Sequence, residues 1–188
     1  NNSHYKISRN IYKNAIGNKI IFEEINHNFA LTFRYEWNNS NIYGFVKKSS
    51  IEYKGEQELK INLLDGLQNL MPDGVGSDLQ NSTSILVDAY KRNELDINSG
   101  LGIFALSAII VDRAEPSEAL KANIAWSLGL DKPSYLLSSI QLNTFRKGMP
   151  ITQEEDVKAE RGAYFVNKEI TLSPGDKKKW MIVADVNQ

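Results

Sequence analysis

The chain changes its hydrophobic period within Leu59-Lys-Ile-Asn-Leu-Leu-Asp-Gly-Leu-Gln-Asn-Leu-Met-Pro-Asp-Gly-Val-Gly76. Apolar and polar residues alternate over 59–63, a pattern typical of a strand with one buried face. Over 64–71 the apolar residues fall three or four apart, which predicts a short helix that ends at Pro72. We therefore expect a strand that runs directly into a helix over one end of a sheet.

Strand patterns recur along the rest of the chain. The clearest is the alternation in which Leu31, Phe33, Tyr35 and Trp37 would share one face of a strand. Further strands are predicted at 4–8, 18–25, 42–53, 93–97, 101–111, 120–126, 163–166, 170–172 and 180–184. The apolar run 101–111 fits a central strand buried on both faces, and a buried helix is the alternative.

Helical patterns are few and short. One helix is predicted from Ser77 or Asp78 to Tyr90, and an amphipathic one over 136–145 with Leu137, Ile140, Leu142 and Phe145 inward. Strands and helices do not alternate in a βαβ rhythm. The predicted fold is all-β and mainly antiparallel: a large β-sandwich or supersandwich, with two or three short helices in the connections.

Composition limits the classes of function. The 188 residues are 41% apolar and 24% charged, with a net charge of −1 and no cysteine. This predicts one globular domain over residues 1–188, without disulfides, thiolate ligands or a cysteine nucleophile. The small net charge gives no attraction for nucleic acid or anionic lipid, and the longest apolar run is too short for a membrane span. The chain starts without Met and shows no targeting signal, so we expect a fragment of a longer protein.

The sequence offers few groups for chemistry. His4 and His27 lie far apart, no familiar catalytic or nucleotide-binding motif is present, and no metal site or cofactor is predicted. The cluster Asp112, Glu115 and Glu118 fits either a carboxylate pair or a charged surface turn.

Aromatic rings and amides are the other candidates. Rings such as Trp37 and Tyr43 could stack on the apolar face of a sugar or belong to the core. The loop Asn38-Asn39-Ser40-Asn41 offers donors and acceptors for hydroxyl groups.

Six blocks of sequence carry a family resemblance. They are Phe33-Arg-Tyr-Glu-Trp37, Tyr43-Gly-Phe-Val46, Leu63-Leu-Asp-Gly-Leu-Gln-Asn-Leu-Met-Pro72, Leu86-Val-Asp-Ala-Tyr-Lys91, Asp112-Arg-Ala-Glu-Pro-Ser-Glu-Ala-Leu-Lys121 and Trp180-Met-Ile-Val-Ala-Asp185. In combination, and over nearly the whole chain, they resemble the N-terminal sandwich of bacterial cellobiose-phosphorylase-like glycoside hydrolases.

The resemblance implies a supersandwich of the galactose-mutarotase type that precedes an α/α barrel. In that family the barrel holds the catalytic carboxylates and, in the phosphorylases, the phosphate site, so no catalytic residue is expected in this chain. The implied partners are a downstream catalytic domain of the same chain, an oligosaccharide and a second copy in a homodimer, in a bacterial cytoplasm or periplasm. The residues that could contact sugar are Trp37, Asn38, Asn39, Tyr43, Asp112, Arg113 and Glu115.

Three hypotheses follow for function. The first is a non-catalytic domain that supports a catalytic barrel and its sugar cleft, with an exposed apolar patch where the barrel would contact it. The second is a stand-alone carbohydrate-binding module with solvent-facing aromatic rings on a groove. The third is an aldose-epimerase-like enzyme, which would need an acid and a base such as His27 with Glu23 or Glu24.

Overall fold

A computed structural model describes residues 5–108 and 120–185. In these ranges twelve strands and three short helices form an all-β, mainly antiparallel, β-sandwich-like fold, as predicted. The strands are β1 (Ile7–Lys13), β2 (Ile20–Asn26), β3 (Leu31–Ser40), β4 (Gly44–Tyr53), β5 (Leu59–Leu70), β6 (Lys91–Asp96), β7 (Leu101–Leu106), β8 (Asn123–Leu128), β9 (Ser134–Leu136), β10 (Asp156–Lys158), β11 (Gly162–Leu172) and β12 (Lys177–Asp185). The helices are α1 (Ser77–Ser82), α2 (Ser84–Tyr90) and α3 (Leu142–Arg146). One sheet has the order β1-β2-β3-β4-β12-β8-β7-β6-β10 and the other β5-β11-β9.

The chain forms two compact units. The first contains the chain up to Leu63 together with Ser127–Asp131 and Lys168–Val183. Within it, β1 to β4 pair in sequence order, each antiparallel to the next. Aromatic rings line one face of β2, β3 and β4 and are joined by Trp180 of β12. The rings in contact are Phe22, Phe33, Tyr35, Trp37, Phe45 and Trp180. The shared face predicted for Phe33, Tyr35 and Trp37 is confirmed.

The second unit contains Leu64–Trp126, Lys132–Asn167 and the chain from Ala184. Its β7 pairs with β6 on one side and with β8 on the other. A buried cluster of Leu136, Ala163 and Phe165 packs against Leu64, Leu142 and Ile151. These contacts bring β5, β9, β11 and α3 to one hydrophobic core.

The helix predicted over 64–71 is wrong, because β5 continues as a strand to Leu70. Leu63, Asp65 and Leu67 are buried in alternation, while Leu64 packs from the other face against the second unit's core. Apolar residues on both faces therefore imitate helical spacing. Asn69, with a φ of 58°, then interrupts the alternation and returns Leu70 to a buried position.

The other predicted elements have mixed outcomes. The helix of 77–90 is present but broken at Thr83, where φ is −136°. Residues 101–106 form an interior strand, so the helix alternative is wrong there, and 109–111 lie outside the described residues. The helix predicted over 136–145 is largely wrong: Leu136 ends β9, the helical turn starts only at Leu142, and Ile140 is 61% exposed.

Candidate functional site

Three of the predicted sugar-contact residues meet at one cavity. Trp37, Asn38 and Asn39, consecutive on β3, line a space of about 180 Å³ in the first unit. The loop predicted over 38–41 is wrong for 38–40, because β3 continues to Ser40. Phe45 of β4, Gly17 and Asn18 of the β1–β2 connection, and Ile20 at the start of β2 complete its lining. We call this space the Trp37 cavity.

The ring of Trp37 is held by its neighbours. Its centroid lies 4.6 Å from that of Phe45 and 5.9 Å from that of Tyr35, whose ring meets it edge-on at 88°. The ammonium group of the buried Lys47 lies 5.7 Å from the Trp37 centroid. Trp37 stays only partly buried. An aromatic surface of fixed orientation therefore borders the cavity.

The amides of Asn38 and Asn39 differ in their bonding. Asn38 donates to a Glu36 carboxylate oxygen at 2.8 Å, and the other oxygen of Glu36 lies 2.9 Å from the Lys19 ammonium. Burial raises the pKa of Glu36, but the hydrogen bonds and charges of Lys19, Asn38 and Lys48 outweigh it and hold that pKa below its ordinary value. Asn39 is exposed, and its amide makes no hydrogen bond within the described residues. A ring beside an available amide suits a sugar, which has apolar faces and hydroxyl edges.

The remaining predicted residues do not join this cavity. Tyr43 is 54% exposed, and the residues that line the cavity do not include it. Its backbone N–H donates to the Ser40 hydroxyl at 3.2 Å, as in a turn. Asp112, Arg113 and Glu115 lie outside the described residues.

A second and larger candidate site was not predicted from the sequence. It is a cavity of about 440 Å³ in the first unit, which we call the charged cleft. Its polar lining residues include Arg34, Glu36, Lys48, Ser50, Lys177 and Lys179. The strand register explains their grouping, since Arg34 lies opposite Ser50 and Glu36 lies opposite Lys48 on the neighbouring strand.

A buried carboxylate orients the arginine of the charged cleft. Glu23, only 5% exposed, lies opposite Arg34 in the register and accepts a hydrogen bond from its Nε. Asn10 Nδ2 and the Tyr12 hydroxyl also donate to Glu23, at 2.8 and 3.0 Å. The hydrogen bond from Asn10 is the largest cause that lowers the pKa of Glu23, followed by that from Arg34, while burial opposes them. Conversely, the hydrogen bond to Glu23 raises the pKa of the Tyr12 phenol.

The acid and base of the epimerase hypothesis are engaged elsewhere. His27 Nε2 lies 2.7 Å from the Ser8 hydroxyl. The Glu23 carboxylate bonds to Asn10, Tyr12 and Arg34, and Glu24 pairs with Arg9 at 2.7 Å. The contacts therefore do not join His27 to either glutamate.

Within the described residues, no group of three or more His, Cys, Asp or Glu side chains could hold a metal ion. None of the helices in the same ranges is long and apolar enough to cross a bilayer.

No protein-family model matches the chain, and no curated protein matches it either.

Proposed function

We propose that this chain is a non-catalytic N-terminal sandwich domain, of the supersandwich type, of a carbohydrate-active enzyme. The parent enzyme would be a glycoside hydrolase or a glycoside phosphorylase. The domain supports the catalytic barrel and contributes side chains to its sugar cleft.

The grouping of Trp37, Asn38 and Asn39 at one cavity carries this proposal. A sugar places C–H groups on a ring face and hydroxyl groups at its edge, so it needs an aromatic surface next to hydrogen-bonding groups. At about 180 Å³ the cavity is smaller than typical ligand pockets of roughly 300 Å³ or more. It therefore suits one end of an oligosaccharide, the remainder of which would contact another surface such as the barrel.

Helix α2 supports a contact with a second domain. Its adjacent residues Ile85 and Leu86 are 88% and 48% exposed, which is unfavourable for apolar side chains in water. A barrel that covered them would remove this cost.

Titration of the labelled protein with cellobiose and cellotetraose, followed by amide NMR shifts, tests the sugar contact. We expect the shifts to concentrate around the Trp37 cavity. Trp37→Ala should weaken binding at least tenfold, which corresponds to about 1.4 kcal/mol, while Trp37→Phe should keep most of the affinity because it keeps a ring. Tyr43→Ala is the matched control, since it removes an exposed ring that does not line the cavity.

Equal affinity for Trp37→Ala and the wild-type chain would contradict the proposed contact. Thermal unfolding of Trp37→Ala should accompany the titration, because Trp37 also packs on Phe45 and a loss of folding would imitate a loss of binding.

A stand-alone carbohydrate-binding module is the second candidate, and the same cavity favours it. The two candidates differ in the size of the native polypeptide. An antibody raised against this chain should detect, in source cells, a product much larger than 21.2 kDa if a catalytic barrel follows. A product near that mass would favour the stand-alone module.

A further inference from the structure

The charged cleft combines a fixed arginine with three lysines. We propose that it binds the carboxylate of an acidic oligosaccharide, such as a uronic-acid-containing sugar. The proposal rests on the proposed carbohydrate function for its ligand class, and it assigns the cleft a role separate from that of the Trp37 cavity.

The hydrogen bonding of Arg34 leaves its terminal nitrogens available. Nε donates to the buried Glu23, while Nη1 lies 4.0 Å from the Glu52 carboxylate, beyond hydrogen-bond distance. Neither terminal nitrogen makes a hydrogen bond within the part of the chain that the structure describes. A guanidinium whose Nε is held and whose terminal N–H groups are unused is suited to bidentate binding of a planar carboxylate.

Charges around the cleft favour an anion. Its lining contains four cationic side chains, Arg34, Lys48, Lys177 and Lys179, and one carboxylate, Glu36. Glu23 and Glu52 lie beside these cations, so four positive charges face three negative ones. Two of the carboxylates also neutralise lysines outside the lining, because Glu36 pairs with Lys19 at 2.9 Å and Glu52 with Lys54 at 3.1 Å. The cleft therefore keeps a local positive charge in a chain whose net charge is −1.

The rest of the lining suits a sugar better than a small inorganic anion. The cavity of about 440 Å³ has room for more than a single ion. Ser50 and the ionised Glu36 can bond to hydroxyl groups, and Ile21, Leu128 and Met181 provide apolar contact. A carboxylate also repels densely sulfated chains, so Glu36 argues for a sugar with few negative charges.

Calorimetric titration at low and high salt with trigalacturonate, with the neutral cellotriose and with a heparin tetrasaccharide tests this proposal. We expect trigalacturonate to bind at least tenfold more tightly than cellotriose, and its affinity to fall as salt rises. The heparin tetrasaccharide should bind more weakly than trigalacturonate. Equal or tighter heparin binding would show general attraction of anions and would overturn the carboxylate assignment.

Three variants separate specific recognition from general charge. Arg34→Lys keeps the charge beside Glu23 but loses the fork, and it should weaken trigalacturonate binding about tenfold. Lys179→Ala removes an exposed lysine of the lining and should weaken it severalfold. Lys178→Ala is the matched control, because Lys178 is an exposed lysine on the same strand that does not line the cleft. The proposal fails if Arg34→Lys binds like the wild-type chain, or if Lys178→Ala loses as much affinity as Lys179→Ala.

Trp37→Ala distinguishes a failure of the carboxylate assignment from a failure of the proposed sugar contact. If trigalacturonate binding depends on Arg34 and cellotetraose binding does not depend on Trp37, the cleft assignment holds and the proposed cavity contact fails. If only neutral sugars bind, and they depend on Trp37, the cavity contact holds and the cleft assignment is overturned.

Discussion

The ion pair between the buried Lys91 and Asp88 in the second unit can be tested by substitution of either partner. The side chain of Lys91 has no exposed surface, and its ammonium lies 2.7 Å from an Asp88 carboxylate oxygen. It also donates to the Gln80 amide oxygen and lies 3.8 Å from the Met71 sulfur. Replacing Asp88 by Asn removes the counter-charge and leaves a buried cation, whereas replacing Lys91 by Met removes the cation itself.

The two substitutions should therefore differ in cost. Breaking a buried ion pair from one side costs about 3–5 kcal/mol of unfolding free energy, because the remaining charge is buried and unpaired. Asp88→Asn should fall at the lower end, about 3 kcal/mol, since Gln80 remains as a partner and the Asp88 side chain is 24% exposed. Lys91→Met should cost less, about 1–2 kcal/mol, because Asp88 keeps water and the Arg161 guanidinium at 3.4 Å.

Urea unfolding of the wild type, both single variants and the double variant at pH 7 measures these costs. The double variant should lose less than the sum of the single losses, because the pair is broken only once. A loss for Asp88→Asn that is no larger than that for Lys91→Met would refute the reasoning. So would additive losses, since they would show that the two side chains do not interact.

Acid provides a second readout of the same pair. Burial raises the pKa of Asp88, but hydrogen bonds from Lys91 and Gln80 and the Lys91 charge outweigh it, so the folded-state pKa is lowered. A lowered folded-state pKa means that the carboxylate stabilises the fold above its unfolded-state pKa of about 3.9 and loses that contribution as pH falls further. The stability difference between the wild type and Asp88→Asn should therefore shrink in acid.

Three further changes test the packing and the charged cleft. Glu23→Gln should cost about 2 kcal/mol in urea unfolding at neutral pH, because it removes a charged hydrogen-bond acceptor, and the difference should shrink as pH falls through the lowered pKa of Glu23; a difference that stays constant with pH would contradict this. Gly129→Ala should lower the melting temperature clearly, because φ is +97° and a Cβ would lie 2.9 Å from the Cα of Trp180; an unchanged melting temperature would show that the turn can relax. Tyr164→Phe should cost about 1–3 kcal/mol in urea unfolding, because the buried hydroxyl donates to the Gly100 carbonyl at 2.6 Å; a cost below about 0.5 kcal/mol would mean that the carbonyl finds another donor.

Strands with one apolar and one polar face were predicted well from the sequence. In β3 the alternation of aromatic and charged residues is direct, because one face packs rings and the other carries Arg34 and Glu36. The second half of β5 was predicted wrongly as a helix, because both faces of β5 pack against other residues and its apolar spacing therefore resembles that of a helix. Gly66 allows the backbone of β5 to lie close to β11, since a Cβ at this position would lie 2.3 Å from the carbonyl oxygen of Tyr164 on β11. The hydrophobic pattern of one sequence does not show that two segments far apart in the chain lie this close together.

The failed helix after β9 has a similar cause. Leu137 and Ser138 donate their backbone N–H groups to the Glu154 carboxylate at 2.7 and 2.8 Å. Gln141 also donates to Glu154, at 2.9 Å. A carboxylate more than ten residues downstream thus holds residues 137–141 by hydrogen bonds in a conformation that is not helical. The apolar spacing over 136–145 could not reveal this partner.

The prediction of functional residues has the same limit, because a sequence does not show which residues are neighbours in space. Trp37 and the neighbouring asparagines could be proposed from residue type alone, because an aromatic ring can stack on a sugar and amides can bond to its hydroxyl groups. Arg34 could not, because charges that alternate along a strand normally face water and bind nothing. What distinguishes Arg34 is the register, which places the buried Glu23 opposite it and the lysines of β4 and β12 around the same cavity. The proposed role of Arg34 therefore depends on its neighbours in space. Loss of the Glu23 carboxylate should impair carboxylate binding even though Glu23 does not contact the ligand, because Glu23 orients Arg34.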